Sequence, residues 1–158
     1  MGVVLQPMTE ETYRTYLPEH EDEYARDRMI TDRESFEEAL RTTRAQHEAL
    51  LPQGLSTPGQ YFFTIEDESL GQQVGYVWFA CRPPSSELFL YHIRINEAER
   101  RQGYGKAALA AIDQKAKELG CRAVWLNVMA HNQSAIDFYR SQGYRVAALH
   151  MSKQWDAG

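Results

Sequence analysis

A short basic glycine turn, Arg100-Arg101-Gln102-Gly103-Tyr104-Gly105-Lys106, sits between two segments of opposite periodicity. Before it, Leu88 to Ile95 is an apolar run that reads as a β-strand. After it, Ala107, Leu109, Ala110, Ile112 and Ala116 recur at spacings that build the apolar face of a helix from Lys106 to Leu119. Glycine at a strand-to-helix turn lets the backbone approach a ligand closely. The first helical turn adds unpaired N–H groups and the positive end of the helix dipole. With two arginines and a lysine beside it, this turn is a site for an anion, and phosphate is the expected one.

Three phosphate sites compete. A mononucleotide P-loop requires Gly-x-x-x-x-Gly-Lys-Ser/Thr, and the chain has none. Gly103, Gly105 and Ala108 satisfy a dinucleotide pattern, but that fold wants an acidic residue about 20 positions on, at the end of the next strand. The next strand, Ala123 to Val128, carries Asn127 there. The third pattern, Arg/Gln-x-x-Gly-x-Gly/Ala, is met by Arg100, Gly103 and Gly105. It is followed about 30 residues later by Asn132-Gln133-Ser134-Ala135-Ile136-Asp137-Phe138-Tyr139-Arg140-Ser141-Gln142-Gly143-Tyr144. That segment reads as a helix with Asn near its start, a Phe-Tyr pair near its end and Gly143 at the C-terminal cap. A strand restarts at Tyr144-Arg145-Val146.

These two segments, in this order, resemble the Gcn5-related N-acetyltransferase (GNAT) superfamily, most specifically over residues 87–144. The resemblance implies an α/β (α+β) fold with one mixed central sheet of about six to seven strands, four helices and the order β-α-α-β-β-β-α-β-α-β. It implies a single acetyltransferase domain over residues 1–158 and acetyl-CoA as co-substrate. Arg100, Arg101, Gln102, Gly103, Tyr104, Gly105 and Lys106 would wrap the pyrophosphate. Ile93, Arg94 and Ile95 would follow the pantetheine arm along the strand, with the Ile93 N–H as oxyanion donor. Asn132 and Ser134 would reach the cofactor, and Tyr139 would stand near the sulfur as general acid. Many relatives carry a carboxylate base on the central strand where this chain has Tyr91 and His92. His92 has an intrinsic pKa suited to a direct or water-relayed base. Strict alternation places Tyr91, Ile93 and Ile95 on one face and His92 and Arg94 on the other, so only one of Tyr91 and His92 is expected to face a given pocket. A non-catalytic acyl-CoA-binding or sensor domain is the alternative function.

The remaining sequence narrows the partners. Residues 1–50 hold 12 acidic and 6 basic residues, against 10 and 11 in the other 108. A net charge of −5 without a basic stripe argues against nucleic acid. The acidic half suits a cationic amine, from a small molecule or a peptide. The run Glu19-His20-Glu21-Asp22-Glu23 reads as a solvated helical face. No apolar stretch approaches the ~18–20 residues of a membrane span, and no signal peptide is apparent, so a cytoplasmic protein is expected. The five histidines show no metal-ligand spacing. Cys81 and Cys121, 40 residues apart, are expected as buried free thiols. An open sheet edge would leave room for a homodimer.

Elsewhere Val3 to Gln6 reads as a strand, and Thr9 caps a helix to about Met29 that Pro18 should kink or break. A second helix follows from about Arg33 to Leu50, then a hairpin of Tyr61–Glu66 and Gln73–Arg82, and a turn at Pro83-Pro84.

Overall fold

The computed structural model describes residues 2–81 and 86–156. They fall into two compact units, one ending at Asn127 and the other beginning at Val128.

The first unit is built on a five-stranded sheet in the order β1 (Val3–Pro7), β2 (Gln60–Asp67), β3 (Gln72–Ala80), β4 (Glu87–Ile95) and β5 (Ala123–Leu126). β1 to β4 are antiparallel neighbours, and β5 runs parallel to β4. Between β1 and β2 come two helices, α1 (Glu10–Asp32) and α2 (Phe36–Leu50). The helix α3 (Tyr104–Glu118) connects β4 to β5, as a parallel pair requires.

Caps set the helix starts. Thr9 accepts a bond from the Thr12 N–H at 3.1 Å, and Ser35 accepts one from Glu38 at 3.2 Å, satisfying donors that the first turn leaves open. Pro18 does not break α1, which runs through it for 23 residues. Its buried side, carrying Tyr13, Tyr16, His20, Glu21 and Ala25, continues at helical spacing on both sides of the proline. Tertiary packing therefore outweighs the local penalty.

Alternation along the strands builds two cores. Phe62 and Trp78 pack with Met8, Tyr13, Tyr16 and Leu51 under α1. Phe63 and Phe79 point the opposite way, where the Lys115 ammonium of α3 lies over Phe63. Burying each large side chain contributes about 1.5–3 kcal/mol. Trp78, Phe79, Ile65 and Leu88 are wholly inside.

The central strand departs from regular alternation. Trp78 pairs with His92 but Phe79 pairs with Leu90, so Tyr91 is an extra residue in β4. Such a bulge re-aims side chains and increases the local twist.

Cys81 and Cys121 are joined as a disulfide, with Cα atoms 7.6 Å apart, and are not free thiols. β3 runs against β4 and β5 runs with it, so the end of one and the approach to the other meet at the same end of the sheet. The turn expected at Pro83-Pro84 lies outside the described residues.

In the second unit, α4 (Gln133–Ser141) is capped by Asn132, whose Oδ1 accepts the Ala135 N–H at 3.2 Å. Gly143 closes it with φ at 93°, the left-handed conformation that glycine adopts most readily. The strand expected from Tyr144 is not formed. Residues 144–156 pair with no strand, and Val146, Leu149, Met151 and Trp155 are exposed. Among the described residues the sheet thus has five strands where six or seven were expected; a strand needs a neighbour to take its backbone hydrogen bonds.

Candidate active site

Four local structures carry the candidate residues, three of them in the first unit. The first is the turn into α3. Gly103, the N-cap, has φ at 87°, and Arg101 holds φ at 64° without being glycine. Such strained backbone concentrates at functional sites. Arg100 is steadied by its Nε, which donates to the Ile95 carbonyl at 3.0 Å. Arg100, Arg101, Gln102 and Lys106 are exposed around the helix start. The first-turn N–H groups of Tyr104, Gly105 and Lys106 have no intrahelical acceptor. Together they set open N–H groups and basic side chains around one helix start, an arrangement that can take an anion.

The side chain of Tyr104 is engaged elsewhere. It is buried and donates to Asp67 Oδ2 at 2.6 Å. With that bond first, and further bonds from Ser69 and the Leu70 N–H, the Asp67 carboxyl is held down at about 2. The Tyr104 side chain is the pin that fastens α3 to the end of β2.

The second local structure is a split in the sheet. The parallel ladder joins Glu87–Leu90 of β4 to Ala123–Leu126 of β5. It ends at the bulge, while β4 continues to Ile95 along β3. Ile93 and Ile95 lie in that continuation, between the split and the turn into α3.

The third is a cluster of aromatic and imidazole rings under α1 and α2. His92 stacks on His20 with ring centroids 4.0 Å apart, and its Nδ1 lies 2.7 Å from the Tyr16 hydroxyl. His20 stacks in turn on His47, and Trp78 meets both edge-on. Tyr91 stacks on the same indole at 4.6 Å. The bulge thus turns Tyr91 and His92 to one face, where strict alternation allowed only one of them. Burial first, then the neighbouring Arg94 and His47, pushes His92 down to about 4. Burial does most to bring His20 to about 2, with His92 and His47 adding to it.

Arg94 also faces α1. Its guanidinium lies 2.7 Å from Glu23 and 4.0 Å from Glu19, so its side chain serves that contact, and only its backbone follows the line of Ile93 and Ile95. Beside the ring cluster, a cavity of about 230 Å³ is lined by Tyr13, Leu17, Glu21, Arg44, His47, Glu48 and Leu51. Glu21 is buried and bonded to His47 at 2.9 Å. The acidic run from Glu19 to Glu23 is therefore not a wholly solvated face. Its members His20 and Glu21 are interior, and the i, i+3, i+4, i+7 spacing of Tyr13, Tyr16, Leu17 and His20 is the sequence signal that marks them.

The fourth lies in the second unit. There Tyr139 packs against Phe138 and Tyr144, and burial raises its phenol, so it keeps its proton at neutral pH. Asn132 spends its carbonyl on the cap of α4, and Ser134 is exposed in the first turn.

Among the described residues no cluster of histidine, cysteine and carboxylate side chains is arranged to hold a metal ion, and no helix is long and apolar enough to cross a membrane.

A profile of the acetyltransferase (GNAT) family matches residues 8–144. The chain is 34% identical over 158 residues to the uncharacterized N-acetyltransferase YycN of Bacillus subtilis, covering 98% of this chain and 99% of that one. The crystal structure of YycN superposes with a TM-score of 0.90 over 97% of this chain and 98% of that one. The uncharacterized N-acetyltransferase YdgE of the same organism is 30% identical over 98% and 99% of the two chains.

Proposed function

This chain belongs to the GNAT family of acetyltransferases, and from that premise we propose that it transfers an acetyl group from acetyl-CoA to a primary amine of a small molecule or peptide, by direct attack. The observation that carries this reading is the β4–β5 ladder ending at the bulge beside a glycine turn with a basic rim. A thioester arm fits along Ile93 and Ile95, and a pyrophosphate fits the first-turn N–H groups of α3 with Arg100, Arg101 and Lys106. Acetyl-CoA supplies an activated acyl group on a thiol leaving group.

The rest falls to the chain. Its acceptor must be a neutral amine, although a free alkylammonium titrates near ~10.4. The acidic first half attracts the cation, and a site next to buried rings favours loss of its charge. Tyr139, protonated at neutral pH, gives a proton to the leaving sulfur. Tyr91 and His92 stand on β4 immediately before the residues assigned to the pantetheine arm and face the acceptor.

Thiol release measured with acetyl-CoA across a panel of primary amines tests this. Amine-dependent release is expected. Tyr139→Phe should lower kcat by about 100-fold, the scale of a lost general acid, with the KM for acetyl-CoA held. Unchanged turnover would remove Tyr139 from acid catalysis. Tight acetyl-CoA binding without release would favour a non-catalytic sensor, and absence of binding would overturn the proposal.

A further inference from the structure

Tyr16 is 2% exposed. Among the described residues its hydroxyl has one hydrogen-bond partner, His92 Nδ1 at 2.7 Å. A phenol has one proton to donate. Were it to accept from a protonated Nδ1, its own O–H would be left buried without an acceptor, at a cost of about 1–3 kcal/mol. The bond therefore runs from the Tyr16 O–H to Nδ1. A neutral imidazole that accepts at Nδ1 carries its proton on Nε2.

Resting on the acetyl-transfer reading above, we propose that Tyr16 is a positioning residue that holds His92 in its Nε2–H form, so that His92 serves the reaction as a neutral hydrogen-bond donor to a substrate oxygen and not as the base that deprotonates the amine.

The surroundings of His92 agree. A base must end as imidazolium. Here that cation would stack on His20 and lie next to Arg94, whose nearest carboxylate, Glu23, is already engaged at 2.7 Å. Burial and those neighbours hold His92 neutral down to about pH 4. A donor changes no charge and incurs no such penalty. The Nε2 atom makes no hydrogen bond to the described residues and is not fully enclosed by them. It is available to a ligand. The bulge at Tyr91 turns this corner of β4 toward α1 and α2, the side to which the proposed function assigns the acceptor.

Two experiments test the assignment. Long-range ¹H–¹⁵N correlation spectra of the labelled protein at neutral pH read the tautomer without any substrate. An unprotonated Nδ1 and a protonated Nε2 are expected, collapsing toward a tautomer mixture in Tyr16→Phe; a protonated Nδ1 in the parent overturns the proposal. Kinetics read the role. The side-chain amide of His92→Gln presents an N–H but cannot take up a proton, so it should keep kcat within about 10-fold of the parent, while His92→Ala falls at least about 10-fold further. Equal losses in the two variants overturn the donor role.

Tyr16→Phe should lower kcat about 3- to 10-fold with the KM for acetyl-CoA unchanged, and should add nothing in a His92→Ala background. A further loss there would make Tyr16 merely structural. Should Tyr16→Phe fail to fold, the parent spectrum and the Gln/Ala pair still decide. A protein with the expected tautomer that releases no thiol with any amine would refute the enzyme, and the donor role with it, while leaving the tautomer assignment standing.

Discussion

Acid should unfold this protein through its stacked histidines. His20 is held near 2 and His92 near 4, both below the ~6.5 of a free imidazole. Between about pH 6.5 and those values the unfolded chain binds protons that the folded chain refuses, so stability rises with pH and is lost as pH falls. The loss begins below about pH 6.5, stops growing near about pH 4 for His92 and continues toward about pH 2 for His20. Each group then costs about 2 kcal/mol between about pH 7 and about pH 5, and the two together about 4 kcal/mol. That is a large part of the roughly 5–15 kcal/mol of a typical domain. Urea unfolding followed by tryptophan fluorescence, in which Trp78 is the buried reporter, measures it at a series of pH values. His20→Phe keeps an aromatic ring in the stack and removes one titrating group, so the loss over the same interval should fall to about 2 kcal/mol. A variant as acid-sensitive as the parent would refute the reasoning, because the carboxylates are common to both proteins.

A Cβ on Gly75 would collide with the Arg94 carbonyl oxygen across the β3–β4 ladder, so Gly75→Ala should lose about 1–3 kcal/mol, seen as a fall in Tm. Arg101→Gly relieves the left-handed backbone and should stabilise the fold by about 1 kcal/mol while weakening acetyl-CoA binding about 10-fold; calorimetry of unfolding and of binding should move in opposite directions. Tyr104→Phe removes the strongest bond holding the Asp67 carboxyl down. In carboxyl NMR titrations Asp67 should move up toward the ordinary range, and the stability that the parent loses as pH falls from about 4 to about 2 should shrink.

The parts of the fold that local rules govern were readable from residues alone. Thr9 as a cap, the glycine turn before α3, the hairpin and the segment from Asn132 to Gly143 each carry their own short-range signal. What escaped depends on distant neighbours. Pro18 argued for a break in α1, but the helix is continued by a face packed onto β2 and β3. Cys81 and Cys121 are separated by the whole of β4 and α3, and only strand direction brings them to one end of the sheet. The missing strand after Tyr144 shows the reverse, a suitable composition without a pairing partner.

The same division runs through the site. The glycine turn and its basic rim are legible as a pattern, whereas a pattern does not show that the Tyr104 phenol turns inward to Asp67. Tyr16, His20, His47 and Glu21 drew no motif. They become a site only when α1 and α2 lie across β3 and β4, and the acidic letters around His20 disguised how much of that helix is interior.

The extra residue in β4 works as a phase shift. Leu88 and Leu90 share a face with Ile93 and Ile95 although the step from Leu90 to Ile93 is an odd number of residues. Either half of the strand therefore keeps its own in-and-out rhythm, and Tyr91 belongs to neither. Chain length at that point is uncoupled from the order of the core. Removing Tyr91 would restore a regular ladder with every other side chain on its present face, whereas removing Leu90 would bring Tyr91 into the slot of Leu90, and removing Ile93 would turn His92 to the face of Ile93. A change at position 91 thus leaves the in-and-out order of both halves as it is and is felt through the ring that Tyr91 stacks on Trp78.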